Sequence, residues 1–323
     1  MKRLFLALFA CIYAQAEEKK YADIVQGNSD VWGNARLENI DSYGNGFGPI
    51  FLQFQGHLQS SGFFAWLALG AVLGVIIAFI GHYAIIGPKH FDHHAGKPIY
   101  AFNKFERLYH FVAAVAWAIL VPTGLIMMFG EEFGGGAFVR FCKNAHGLAT
   151  IAFAIAVVPM LVTWFWRMLP RTYDIRWMMI VGGYLSKKKR AIPAGKFNAG
   201  QKAWFWVATL GGIVMIATGA SMFFLDYDIP AMRSALGMSQ IEILRASAII
   251  HNLLGAVCAV FLLVHIYMAV FAISGAIHSM IDGHKPEEEV YVLHHYWYQE
   301  LISKNKIPVS EYKSQFEAKY PRL

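Results

Sequence analysis

The sequence reads as an all-α integral membrane protein. Two features predict this: apolar residues fill 57% of the 323 positions against 15% charged, and they gather into five runs long enough to cross a bilayer. A third agrees with them, because Lys and Arg concentrate in alternate connections between the runs.

The elements follow in order. Met1–Lys2–Arg3, a run from Leu4 to Tyr13 and Ala14–Gln15–Ala16 have the basic, apolar and small-residue parts of a secretory signal. Residues 1–16 are expected to be this leader. A lipoprotein site at Leu8–Phe9–Ala10–Cys11 is the weaker reading, because Phe9 is bulky and the apolar run continues past Cys11. Residues 17–62 read as a polar arm on the outer, periplasmic side, with residues 47–55 along the membrane surface.

A hydrocarbon core about 30 Å thick needs roughly 20 apolar residues in helical form. The runs Phe63–Ile86, Leu108–Phe129, His146–Trp166, Ala203–Leu225 and Ala246–Ile273 meet that length. Pro122 and Pro159 fall inside two of them and imply kinks rather than breaks. Residues 63–101 form the first span and its following loop, 102–275 a four-span bundle, and 276–323 a polar cytoplasmic tail with the acidic patch Glu287–Glu288–Glu289.

With the N-terminus outside, the loops 87–107 and 167–202 lie in the cytoplasm and the loops 130–145 and 226–245 outside. The first two carry 13 Lys and Arg, including Lys187–Lys188–Lys189–Arg190, and the outer two carry four. The net charge of +7 is thus an orientation signal of an inner-membrane protein, not a nucleic-acid site. Only Cys142 and Cys258 follow the expected leader, in different segments, so neither a disulfide framework nor a cysteine metal site is expected.

Histidines inside the runs carry the chemistry. His251 and His265 lie fourteen residues apart on one helix, which places them about 21 Å apart along its axis and on nearly the same face. Ionisable groups in hydrocarbon are costly and ask for partners at matching depth. His146 opens the third run at its outer end and pairs by depth with His251; His110, near the cytoplasmic end of the second run, pairs with His265. A lone histidine is more economically an interhelical hydrogen-bonding group, but two depth-matched pairs suit bis-imidazole ligation of haem iron, one haem per leaflet. No Cys-x-x-Cys-His occurs, so the haems are of b type. Arg107, Lys143 and Arg245 stand where propionates need cations, although snorkelling explains them nearly as well. Gly124, Gly147, Gly211, Gly212, Gly219 and Gly255 suit either a flat macrocycle or plain helix packing.

The other histidines are assigned no ligand role. His82 reads as interfacial, His278, His284, His294 and His295 as solvated or in subunit contact, and His57 without function. His90, His93 and His94 resemble a small metal cluster, the less favoured reading because no cysteine or supporting shell accompanies them.

Ala145–His146–Gly147, the Lys196-to-Lys202 segment with Asn198–Ala199–Gly200–Gln201, and His251 followed by His265–Ile266–Tyr267–Met268 resemble the gamma subunit of membrane-bound formate dehydrogenase. That family is a four-helix diheme cytochrome b related to the cytochrome b subunits of nickel-iron hydrogenases. Val31 to Arg36, Ile86 to Phe91, Pro122 to Met127 and Asp174 to Ser186 resemble its long form, which has a leader and one additional N-terminal transmembrane helix. The resemblance implies that His110, His146, His251 and His265 are axial ligands of two haem b groups. It also implies that Asn198, Gly200 and Gln201 form a quinone pocket, with menaquinone expected, beside His265. The implied partners are a molybdenum- or tungsten-containing catalytic subunit and an iron-sulfur subunit, the formate site lying on the former. Without the resemblance, Asn198–Ala199–Gly200 is better read as a turn opening a helix. The hydrogenase subunit is the nearest rival. A transporter with a histidine proton relay is the non-redox alternative, against which stands the lack of a convincing internal repeat.

Overall fold

A computed structural model describes residues 17–18, 62–224, 227–228, 230–309 and 312–322. Residues 1–16, where a leader is expected, nearly all of residues 17–62 and His57 lie outside the described residues.

Among the described residues, five helical rods are long and apolar enough to span a membrane. They are α1 (Phe63–Ile85), α2 (Lys104–Met128), α3 (Gly136–Met168), the rod Ala199–Phe223 and the rod Gln240–Ala272. The fourth rod is α5 (Ala199–Trp206), a π turn at Val207–Gly211 and α6 (Gly212–Phe223); the fifth is α8 (Gln240–Ile266) ending in a π turn at Tyr267–Ala272. Their apolar side chains lie open all round, Val162 at 73% and Trp166 at 74% exposed, as lipid-facing helices require.

Helix starts are set by side-chain caps rather than by the onset of apolar residues. Asn103 Oδ1 accepts from the Glu106 amide at 2.8 Å while Glu106 Oε2 accepts from the Asn103 amide at 2.8 Å, so α2 begins four residues before the apolar run. At the start of α8 the Ser239 amide and hydroxyl both donate to Glu242 Oε2 at 2.9 Å. In α3 the difference is larger: the helix starts at Gly136, so His146 does not open it but lies ten residues inside, and Arg140 and Lys143 are carried on its first turns. Charged residues end the hydrophobic run without ending the helix. His251 stands eleven residues inside α8, a similar distance from its start.

Packing divides the chain into two units: residues 1–67, 125–142 and 213–256, and residues 68–124, 143–212 and 257–323. In the first, Ser221 donates to Ser247 at 2.8 Å between α6 and α8, Trp66 meets Phe129 edge-on, and Glu17–Glu18 pairs antiparallel with Tyr227–Asp228. α7 (Pro230–Leu236) also belongs to it.

The second unit contains an aromatic core of Phe102, Tyr109, Trp164 and Phe197. Trp117 and Phe153 meet edge-on at 5.2 Å, and Phe153 lies against Gly212. The short helices α4 (Thr172–Met179), α9 (His278–Ile281), α10 (Glu287–Leu293), α11 (His295–Ser303) and α12 (Tyr312–Lys319) complete this unit. Ile99–Tyr100 pairs antiparallel with His284–Lys285 in the register Ile99 to Lys285.

Residues 276–323 are not a free polar tail. The Ile192 amide donates to the Val292 carbonyl at 2.7 Å, the Tyr296 amide to Ala194 at 3.0 Å and the Ala191 amide to Pro321 at 3.1 Å. The acidic patch is buried and satisfied: Glu287 accepts from Tyr298 at 2.7 Å, Glu289 pairs with Lys285, and Glu288 accepts from Tyr320 and Lys189. His294 and His295, expected to be solvated or in subunit contact, are instead buried within the chain at 2% and 4% exposed; His294 Nδ1 donates to the Gly195 carbonyl at 2.9 Å. The carbonyl row of residues 192–195 supplies acceptors that the sequence does not reveal.

Candidate haem and quinone site

His110 on α2 and His265 near the end of α8 lie in one unit with ring centroids 6.2 Å apart. Metal–imidazole bonds of about 2 Å on each side place two axial rings on the order of 6 Å apart, so the separation suits a metal ion between them. Among the described residues neither ring has a hydrogen-bond partner. Trp204 stacks on His265 at 5.6 Å and 23° and fixes the plane of that ring. The two π turns begin three residues after Trp204 and two after His265, where an extra residue per turn re-aims the side chains around the stack.

His146 and His251 are held in a different way, each within its own unit. His146 Nδ1 lies 2.9 Å from Thr123 Oγ1, and that hydroxyl lies 2.6 Å from the Ile119 carbonyl. His251 Nδ1 lies 3.0 Å from Thr218 Oγ1, which lies 2.8 Å from the Val214 carbonyl. The next residue is glycine in both cases. A Cβ on Gly124 would stand 3.6 Å from His146 Cε1, and one on Gly219 would stand 3.2 Å from His251 Cε1. In the structure these glycines lie against the imidazole rings, and Gly212 and Gly255 lie against Phe153 and Met215. The shared pattern Thr-Gly-x-x-Met-x-Phe, at Thr123–Phe129 and Thr218–Phe224, was the signal that could have found both threonines.

The three cations near the candidate ligands sit in different surroundings. Arg107 donates to the Ile281 carbonyl, tying α2 to the segment after the last span. Arg245 is buried on α8, six residues before His251, and Lys143 is exposed on α3.

Asn198–Ala199–Gly200–Gln201 is the N-terminal cap of α5. Asn198 Oδ1 accepts from the Gln201 amide and Gln201 Oε1 from the Asn198 amide, both at 2.9 Å. Both side-chain NH2 groups are left over from this box. A Cβ on Gly200 would meet the Trp177 ring at 3.0 Å, so only glycine lets α4 pack this closely. Lys202, one turn on from Asn198, is buried against Asp174 Oδ2 at 2.6 Å.

Neighbouring groups missed from sequence include His82, which bridges Tyr267 Oη at 2.5 Å and the Tyr184 carbonyl at 2.9 Å and so is not a lone interfacial residue. Burial lowers the Lys89 ammonium below its ordinary range, with Lys189 adding to the effect, and Lys89 donates to the Ser186 carbonyl at 2.8 Å. Among the described residues no group of three His, Cys, Asp or Glu side chains is placed to hold a metal ion, His90, His93 and His94 included.

The profile of the prokaryotic cytochrome b561 family matches residues 101–283, more than half of the chain. The chain belongs to this family. A cytochrome b implies haem b, which suits the histidine chemistry described above. α1 and everything before it fall outside the matched segment.

The chain is also similar to the nitrate-inducible formate dehydrogenase cytochrome b556(Fdn) subunit of Escherichia coli K12, at 26% identity over 206 residues, 61% of this chain and 88% of that protein. The formate dehydrogenase cytochrome b556 subunit of Haemophilus influenzae is 26% identical over 205 residues, 61% of this chain and 80% of that protein. The cytochrome b556(fdo) subunit of E. coli K12 is 23% identical over 202 residues, covering 61% and 90%.

Proposed function

We propose that this cytochrome b561-family chain is the diheme membrane subunit of a formate dehydrogenase, passing electrons from an iron-sulfur subunit to a quinone. The observation that carries the reading is the adjacent pair His110 and His265, with ring centroids at a separation suited to a metal and Trp204 stacked on His265. The similarity to three formate dehydrogenase cytochrome subunits, each matched over most of its length, supports the partner class.

Haem b, when bound, would supply one-electron chemistry. His146 and His251 would hold one haem toward the outer leaflet, on the side of the electron donor, and His110 and His265 would hold the other toward the cytoplasmic leaflet, beside the quinone. Arg107 and Arg245 would meet the propionates. Asn198, Gly200 and Gln201 border the quinone, whose carbonyl takes an amide NH2 left over from the capping box. Electrons move inward while protons are taken from the cytoplasm, so turnover charges the membrane at about 2.3 kcal/mol per charge per 100 mV. Formate is oxidised on a molybdenum- or tungsten-containing partner.

Purification of the complex tests this. Two haem b per chain and a molybdenum- or tungsten-bearing partner are expected; one haem, none, or a nickel-bearing partner overturns the reading. His251→Ala is expected to remove the outer haem and stop quinone reduction while formate oxidation by an artificial acceptor persists. Asn198→Asp keeps an N-cap but removes an amide donor, and is expected to slow quinone turnover with both haems in place. Loss of a haem in that variant argues against a local quinone role.

A further inference from the structure

We propose that Thr123 and Thr218 are matched positioning residues that fix the ring nitrogen protons of His146 and His251 and so set the electronics of the outer haem. The inference rests on the ligand assignment above. It concerns which nitrogen each ring presents and how basic that nitrogen is.

The two arrangements repeat in the contacts of the threonine hydroxyl. Each threonine hydroxyl lies within hydrogen-bonding distance of carbonyls three and four residues back: Leu120 at 3.2 Å and Ile119 at 2.6 Å for Thr123, Met215 at 3.3 Å and Val214 at 2.8 Å for Thr218. A carbonyl can only accept, so the single hydroxyl proton points back along its own helix. The oxygen is then left as an acceptor for the imidazole, and Nδ1, at 2.9 Å in one case and 3.0 Å in the other, must be the donor. With the proton on Nδ1, Nε2 carries the lone pair that binds a metal.

The glycine after each threonine completes the cradle. It lies against Cε1 of the same ring, closely enough at Gly219 that a methyl group would push the imidazole aside. Such a seat holds the ring in position as the hydroxyl holds its tautomer. A ligating imidazole that donates its second N–H becomes the more basic ligand and favours the higher oxidation state of its metal. His110 and His265 have no such partner among the described residues, so the two haems are set to different potentials by the protein. A downhill gradient from the threonine-clamped pair to the unclamped pair follows from this difference.

The test is an optical redox titration of the purified complex carrying T123V, T218V, T123S or T218S. Each valine variant is expected to retain both haems and to shift the midpoint of one haem in the positive direction. The same haem should move in both variants and the other should stay still. The serine variants, which keep the hydroxyl, are expected to return to the unsubstituted midpoint. Unmoved midpoints in the valine variants, a shift in serine as large as in valine, or different haems moving in T123V and T218V would overturn the proposal. Where a valine variant loses its haem through misfolding, its serine counterpart decides: full haem at the original midpoint supports the clamp and a shifted midpoint overturns it. H146A and H251A separate the two levels. If both retain two haems, the ligand assignment falls and the clamp with it; if each loses one and the valine midpoints are unmoved, only the clamp falls.

Discussion

A methyl group at Gly212 would sit 2.5 Å from Phe153 Cε1 and 2.7 Å from Cζ, and Phe153 is 2% exposed with Trp117 on its edge. That ring has no direction in which to yield, and overpacking of this kind costs about 1–3 kcal/mol. At Gly74 on α1 nothing lies within 4 Å, so alanine there keeps only its helix-propensity gain of about 1 kcal/mol. Gly212→Ala is therefore expected to lower the thermal midpoint in detergent and Gly74→Ala to leave it unchanged or raise it. Equal midpoints would refute the packing account. The sequence shows glycines in both helices alike; only the neighbours separate them.

At the scale of elements, α4 and α5 are joined by the buried pair of Asp174 and Lys202, whose side chains are 8% and 5% exposed. Asp174 Oδ2 also accepts from the Arg171 amide at 2.7 Å and so caps α4. Removing one partner of such a pair leaves a buried charge and typically costs 3–5 kcal/mol. Lys202→Met is expected to destabilise the protein by about that amount, with the double substitution Asp174→Asn, Lys202→Met recovering part of the loss. A thermal unfolding cycle over the four proteins measures the coupling, and strict additivity would refute it. The capping box at Asn198 links the same helix to the quinone proposal, because the residues that start α5 are those offered to the ligand.

Over the whole molecule, the segment 276–323 behaves as part of the second unit rather than as an appendage. Ala194 is fully buried beneath it, so truncation after Ile281 would expose apolar surface and orphan carbonyls of residues 192–195. That truncation is expected to reduce the yield of folded protein sharply, where removal of a free tail would not.

The segment is also predicted to be acid-sensitive. Burial, with the Lys285 charge adding to it, holds the His294 imidazole down to about 3 from its ordinary 6.5. A base kept neutral in the fold binds fewer protons than in the unfolded chain. Its contribution is thus complete above 6.5 and lost as the pH falls from 6.5 toward 3, at about 1.4 kcal/mol per pH unit. Burial alone would raise Glu288, but the Asp92 amide, Tyr320 and Lys189 together hold it below the usual carboxylate range, so its share is lost at lower pH still. Limited proteolysis between pH 7.5 and 5 is expected to release the segment progressively. His294→Gln should flatten that dependence, and an unchanged pH profile would refute the assignment.

By itself the sequence determined the membrane class, the five spans and the intramembrane histidines with their fourteen-residue register. Hydropathy, helical rise and the cost of ionisable groups in hydrocarbon act locally along the chain and leave a local record. It did not determine where α3 begins, because a capped or charged helix end outruns the apolar stretch. Nor did it show that Glu287 to Glu289 and His294 are buried, since Asp92, Lys189 and Gly195, which meet Glu288 and His294, lie on loops about a hundred or more residues earlier. The adjacency of His110 and His265, the Trp204 stack and the threonine beside each of His146 and His251 were decided by tertiary packing. A depth can be counted along one helix, but an imidazole nitrogen is assigned only by the atom that a neighbouring helix sets against it.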